Sequence, residues 1–275
     1  MRACEWPPVT GGTARRGVVS TLGRMGAVIA FANQKGGVAK TTTVHSLAEA
    51  FVERGRKVLM VDLDPQACLT YAAGLDPDDV EGSLHDVFAG RCGAKDVLVE
   101  FDGLAVLPSS IDLAGAEVHL LTKTGREFVL AKALRAVESN YDYVLVDCGP
   151  SLGILTINGL TAAEYVVVPF QCETLSHRGV GQLLETVADV RAYTNESLVV
   201  LGGVATMFDG RTRLAHEVLD AVSATHGIDV LPPPIPKSVR VAEAPGRGRS
   251  VLRHAATSKP AIAYRELAAT LEERV

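Results

Sequence analysis

No apolar run in this chain of 275 residues approaches the roughly 20 residues that cross a bilayer. The longest candidates, such as YVVVPF at 165–170, meet a proline within a few positions. The sequence therefore does not read as an integral membrane protein. The first 25 residues hold several arginines but no continuous apolar core, so they do not read as a secretory leader. They are expected to be a flexible extension, or to reflect a start assigned upstream of Met25. Cysteine is scarce: Cys4, Cys68, Cys92, Cys148 and Cys172 are odd in number and include no C-x-x-C pair, which gives no support to a disulfide framework or a zinc site and fits a reducing cytoplasm. The seven histidines show no ligand spacing with them. Aromatic residues make up 5% and net charge is −5, which argues against a protein that is basic all over but not against a local patch. There is no internal repeat, and LPPPIP (231–236) reads as a stiff turn.

What remains is ordinary for a soluble globular chain, 47% hydrophobic and 21% charged, enough to supply a core. Short β-branched apolar runs recur at 27–32, 57–64, 104–108, 141–147, 164–170 and 198–208. Between them lie segments that read as helices at about 40–54, 112–138, 173–193, 211–226 and 260–273. Apolar runs bounded by turn signals are strands buried on both faces. Their alternation with helices predicts an α/β fold, a doubly wound, mostly parallel sheet flanked by helices, as one domain over 26–275. In that architecture ligands gather at the carboxyl ends of the strands. The loop after Ala32, the acids of VDLD and Asp147 all fall there.

The loop NQKGGVAKTTT (33–43) follows a predicted strand and opens a predicted helix, the setting of a phosphate-binding loop. The usual pattern is G-x-x-x-x-G-K-[ST]; here Lys40 and Thr41 close it, but Gln34 and Ala39 occupy the glycine positions, and Gly36 and Gly37 follow an extra lysine, Lys35. A helix N-terminus offers unpaired N–H groups to phosphate oxygens without side-chain help. Lys40 would neutralise the β- and γ-phosphates, Thr41 would place its hydroxyl on Mg²⁺, and Thr42 would contact the α-phosphate. Asp147 ends an apolar strand, where a carboxylate is costly to desolvate without a partner. It is the candidate for the Mg²⁺-bound water, with a helix cap as the alternative. Asp62 and Asp64, two apart on one strand, are both expected to face the nucleotide.

Taken with VLMVDLDPQ (58–66), VDCGPSLG (146–153), FDGRTRLA (208–215) and IPKSVRVAEAP (235–245), this loop resembles the ParA/Soj/MinD superfamily of P-loop ATPases with a deviant Walker A motif, nearest the ParA/Soj partitioning branch. The likeness runs from about Met25 to the C-terminus. The family pattern K-G-G-x-x-K-[ST] spans Lys35, Gly36, Gly37, Val38, Ala39, Lys40 and Thr41, with Thr42 following. The resemblance makes Lys35 the lysine that reaches the partner subunit's phosphates in an ATP-sandwiched homodimer. It makes Asp64 the acid that positions or activates the attacking water, and Asp62 a support for the Mg²⁺ shell. Pro236 matches a residue beside the adenine, and Ser238 stands where close relatives carry asparagine. Ala39 replaces a glycine, and Gly149 replaces the first proline of D-x-P-P-S; slow ATPase activity would follow.

The resemblance further implies non-specific DNA binding by the ATP dimer, stimulation of hydrolysis by a ParB-like protein, and a cytoplasmic, nucleoid-associated role in chromosome or plasmid partitioning. Arg211 and Arg240 match arginines implicated in DNA contact. Residues 237–259 carry six basic side chains against the single acid Glu243, a candidate phosphate-backbone footprint or a solvated charged loop. The closing stretch AYRELAATLEERV has neither a basic face nor a bulky apolar stripe, so no membrane targeting of the MinD kind is expected. Two other classes stay open: a metabolic P-loop synthetase using ATP, and an electron-transfer iron protein, for which Cys148 and Cys172 make a poor ligand pair.

Overall fold

The computed structural model describes residues 26–101, 103–173 and 176–275, with the backbone alone at 176 and 177; the expected extension at 1–25 lies outside the described residues. Seven strands among them form one sheet: β1 Ala27–Phe31, β2 Val58–Leu63, β3 Val99–Phe101, β4 Leu104–Leu107, β5 Tyr143–Cys148, β6 Tyr165–Gln171 and β7 Val199–Thr206. Their order is β3-β4-β2-β5-β1-β6-β7. All neighbours are parallel except the short edge strand β3, antiparallel to β4. This is the doubly wound α/β sheet that the strand–helix alternation predicts.

The helices are α1 Lys40–Glu53, α2 Cys68–Ala72, α3 Leu84–Ala89, α4 Ala94–Val97, α5 Leu113–Leu120, α6 Val129–Leu134, α7 Ile154–Ala162, α8 Ser176–Tyr193, α9 Arg213–His226, α10 Val239–Glu243, α11 Val251–His254 and α12 Lys259–Arg274. Successive strand residues point to opposite faces, so Val28 and Ala30 join the core under α3 and α5 to α9, while Ile29 and Phe31 join the core under α1, α2, α11 and α12. On the second face Leu47 and Phe51 are fully buried, each worth about 2 kcal/mol of apolar transfer. The closing helix α12 packs there on α1, with Tyr264, Leu267 and Leu271 buried. Its apolar face is spent on the core. No helix among the described residues is long and apolar enough to cross a membrane.

Beyond the short β3, α2, α3, α4, α10 and α11, which the sequence reading did not include, three departures from its expectations stand out. The helix expected over 112–138 is two helices: α5 stops at Leu120, and Gly125, at φ 67°, opens a short 3₁₀ turn that leads into α6. Helix α7 was not expected from a stretch rich in β-branched residues with a central glycine. It forms because β5 and β6 are parallel and need a crossover, and Gly159 lets it approach: a Cβ there would lie 2.8 Å from Cys148 Sγ. The proline-rich turn at 231–236 is more than a turn. It runs beside the outer edge of β7, with Leu231 N donating to Gly203 O at 2.8 Å, Ile235 N to Ala205 O at 2.8 Å and Lys237 N to Phe208 O at 3.1 Å.

Register places the chemistry. Phe31 on β1 and Asp62 on β2 both pair with Asp147 on β5. The start of the phosphate-loop candidate and two of the three acids therefore stand at one level at the carboxyl end of the sheet.

Candidate functional site

Helix α1 begins without a side-chain cap; its N-cap, Ala39, sits at φ 62°, ψ 33° in the left-handed region. The first-turn N–H groups that a serine or aspartate would otherwise occupy are thus left to a ligand, together with the positive end of the helix. Gly37 is also left-handed, at φ 74°. The loop is tied down from behind by residues that motif reading did not find. Asn33 donates from Nδ2 to Pro169 O at 2.8 Å and accepts at Oδ1 from Lys35 N at 2.9 Å. Gln171 Nε2 donates to Gly37 O at 2.7 Å, and Thr206 Oγ1 donates to Val38 O at 2.9 Å. All three holding residues stand at the carboxyl ends of β1, β6 and β7. Val38 is buried beneath the loop.

Lys40 is buried and its ammonium donates to the carbonyls of Asn33 at 3.0 Å and Lys35 at 3.2 Å. Burial pushes its pKa below the ordinary lysine range, opposed chiefly by Asp147. Lys35 lies apart, partly exposed, with Nζ 2.6 Å from Glu173 Oε2. The two lysines of the loop thus point to different environments, one inward and one toward solvent.

The three acids also separate. Asp147 is 1% exposed, and neither carboxylate oxygen has a hydrogen-bond partner. Burial, then the Asp62 carboxylate, hold its pKa well above the ordinary carboxylate range, while the Thr41 hydroxyl and Lys40 pull the other way. Asp62 is fully buried but satisfied: Oδ2 accepts from Thr70 N and Thr70 Oγ1, each at 2.7 Å, and Oδ1 accepts from Asp64 N at 3.3 Å. Its pKa rises to about 6 through burial, tempered by the Thr70 bonds. Asp62 therefore braces the turn into α2 beside Asp147. Asp64 is half-buried; its Oδ1 accepts from Gln66 N at 3.0 Å. Gly149 gives it room, since a Cβ there would lie 3.3 Å from Asp64 Cγ.

A buried carboxylate with no donor costs several kcal/mol, and a hydrated divalent cation supplies what Asp147 lacks. Asp147, with the Thr41 hydroxyl on the facing helix, fits a Mg²⁺ site completed by water and phosphate oxygens. No group of three or more His, Cys, Asp or Glu residues among those described could hold a metal by itself.

A cavity of about 1010 Å³ brings many of the candidates together, while Lys35, Val38, Asp62 and Asp147 do not line it. Gly36, Gly37, Ala39, Lys40, Thr41 and Thr42 line one end, joined by Asp64, Pro236 and Ser238. The proline-rich edge segment delivers the last two. Arg211 and Arg240 are outside the cavity and exposed. Arg211 forms a fork with Asp209, at 2.9 and 2.8 Å, and Arg240 Nη1 pairs with Glu243 at 3.0 Å. Lys237, Arg247, Arg249 and Lys259 are exposed, with no ion pair to a carboxylate of the described residues. Cys148 is buried, which pushes its thiol pKa up and leaves it an inert thiol.

A family model described as an AAA domain matches residues 26–200. The sporulation initiation inhibitor protein Soj of Bacillus subtilis is 42% identical over 246 residues, covering 89% of this chain and 97% of that protein. The chromosome partitioning protein ParA of Caulobacter vibrioides is 41% identical over 245 residues, covering 88% and 92%. Among solved structures, a protein of Mycobacterium smegmatis named cobyrinic acid a,c-diamide synthase, with bound ADP and magnesium, is 49% identical with a TM-score of 0.82, over 91% of this chain and 95% of that one. The cell division ATPase MinD of Pyrococcus furiosus superposes with a TM-score of 0.74 at 26% identity, over 91% and 100%. With a loop, acids and cavity of this kind and relatives that match along nearly the whole fold, the chain belongs to the ParA/Soj/MinD superfamily of P-loop ATPases.

Proposed function

We propose that this protein is an ATP-dependent dimerising switch of the ParA/Soj type: it binds ATP with Mg²⁺, forms a homodimer, holds DNA without sequence preference in that state, and is released when a ParB-like protein stimulates hydrolysis. The observation that carries the nucleotide part is the unpartnered Asp147 carboxylate, level with the phosphate loop and facing Thr41. The ADP and magnesium of the Mycobacterium smegmatis relative support the same ligands here.

Each residue then has a task. The free N–H groups at the start of α1 and the Lys40 ammonium bind the phosphates, and Lys40 exchanges its two loop carbonyls for phosphate oxygens. Thr41 and Asp147 hold Mg²⁺ directly or through water, with Asp62 fixing the strand end behind them. When bound, the ion neutralises charge on the β- and γ-phosphates. Asp64 orients the attacking water. Lys35, outside its own cavity and partly exposed, is placed to supply a charge to a second subunit's phosphates, as an arginine finger does in trans. Pro236 and Ser238 sit beside the base. Arg211 and Arg240 already neutralise their own acids, so the exposed Arg247, which has no ion pair to a carboxylate of the described residues and lies outside the cavity, adds to the attraction for phosphate backbones. The place of action is the cytoplasm, on the nucleoid.

The test is purified protein mixed with non-specific duplex DNA at low and high salt, with ATP or ADP, and the molar mass measured in parallel. Salt-sensitive binding and a dimer with ATP alone are expected, and Lys35→Ala should lose the dimer while keeping ATP. Equal DNA binding in every condition, or an unaffected Lys35→Ala dimer, refutes the reading.

The name of the 49%-identical structure favours a second reading, an ATP-dependent synthetase amidating a corrinoid acid. It predicts ATP turnover that rises with the acid and an amide donor and ignores DNA. The same preparation assayed with each addition separates the two.

A further inference from the structure

We propose that Ser46 contacts the nucleoside part of the bound nucleotide, making the second turn of α1 a recognition element beyond the phosphate loop. This rests on the nucleotide reading of the large cavity. Thr41, Thr42, His45 and Ser46 all line that cavity from one side of α1. Ser46 stands five residues past Thr41, about 7.5 Å along the helix axis, too far to serve the phosphates that Lys40 and Thr41 hold and in the direction in which a nucleotide continues into its sugar and base. The wall changes character there: Val241, Ala244 and Val251 line it, the largely apolar surround with a few placed polar groups that small-molecule sites present.

Ser46 is 1% exposed, and its Oγ has no hydrogen-bond partner. Serine in a helix commonly bonds back to the carbonyl one turn earlier; this one does not. Two other hydroxyls of this cavity are engaged: Tyr264 Oη lies 3.2 Å from Thr43 Oγ1, and Ser250 Oγ accepts from Arg253 N at 3.4 Å. A buried hydroxyl without a partner is a cost to the free fold, and a polar nucleoside atom removes it. His45 agrees with this placement. Burial, then the Arg253 charge, lower its pKa to about 4, so its ring is neutral near pH 7 and lends no cation to a phosphate.

The test compares wild type and Ser46→Ala by calorimetry with Mg²⁺ and three probes: ATP, 2′-deoxy-ATP and inorganic tripolyphosphate. The variant should bind ATP five- to tenfold more weakly, bind tripolyphosphate within twofold of wild type, and, having lost an unpartnered hydroxyl, melt at the same or a higher temperature without ligand. This pairing of weaker binding with undiminished stability is not what a structural role would give. A loss seen with ATP but not with 2′-deoxy-ATP assigns the contact to the sugar hydroxyl; an equal loss with both assigns it to the base edge or another sugar oxygen. Unchanged ATP affinity, or parallel losses of ATP and tripolyphosphate, overturns the inference. Wild-type protein that binds none of the three probes overturns the nucleotide reading, and this inference with it.

Discussion

Replacing Ala39 by glycine should stabilise the protein, although glycine inside a helix usually does the reverse. Ala39 holds φ 62°, ψ 33°, a conformation that costs an L-residue roughly 1–2 kcal/mol and glycine nothing. Against that gain, glycine loosens the unfolded chain by about 0.4–1 kcal/mol. The balance favours Ala39→Gly by roughly 0.5–1 kcal/mol, or about 1–4 °C in melting temperature for a domain of this size. Urea titration is the assay: the midpoint should rise at constant slope. Ala39→Val, adding a β-branched side chain to the same conformation, should lower it. Ala67, at φ 50°, ψ 33° before α2, is an independent site where glycine should act with the same sign. A drop of about 1 kcal/mol in Ala39→Gly, the usual effect of glycine inside a helix, would refute the strain argument. ATP affinity of the glycine variant should be unchanged or tighter, since the phosphate-loop geometry is kept and relaxed.

Three further expectations follow from the acids and the buried histidine. Asp147→Asn should leave the ligand-free melting temperature unchanged or higher, because it removes a buried ionisable group whose pKa is raised by burial, and should abolish the extra thermal protection that Mg²⁺ gives over nucleotide alone; retained Mg²⁺ protection would count against Asp147 as the ion's anchor. His45 has a folded pKa of about 4 against 6.5, so its contribution is intact above pH 6.5 and is lost as pH falls through 4, by about 3 kcal/mol in all. His45→Gln should therefore flatten the acid limb of a urea-midpoint profile relative to wild type. Asp62, whose pKa is raised to about 6, contributes stability below pH 4 that is lost as pH rises through 6, but this cancels in the comparison. Gly149→Ala should slow ATP hydrolysis with little change in ATP affinity, because its Cβ would press on Asp64 at 3.3 Å; unchanged turnover would remove Asp64 from the chemical step or show that it yields freely.

The phosphate loop and the sheet class were legible because their signals are local: a glycine pair and lysines between a strand and a helix, and continuous apolar runs. The level pairing of Phe31, Asp62 and Asp147 is set by the strand register. Strand order was not legible, and with it went Gln171 and Thr206. They reach the loop only because β6 and β7 lie next in line to β1. Helix α7 was hidden because its helicity is imposed by a parallel crossover, not by composition. Whether Asp62 and Asp64 both face the nucleotide, as expected, could not be resolved by spacing, since Thr70, which satisfies Asp62, comes from the following helix. Ser46 carried no signal at all, being one small polar residue on a helix whose exposure depends on the cavity wall opposite it.

The proline-rich segment beside β7 has a consequence for how copies of this protein can meet. A strand edge ordinarily presents alternating donors and acceptors that another chain can pair with. Pro232, Pro233, Pro234 and Pro236 have no N–H to offer, so the outer side of this segment cannot template a further strand. At the opposite margin β3 is three residues long and antiparallel, too short to recruit a partner well. The sheet is thereby closed to growth in both directions, which guards the chain against edge-to-edge aggregation. Any dimer it forms must be built through faces and loops, and the carboxyl end of the strands, where the nucleotide would sit, is left as the place where a ligand can decide whether two copies join.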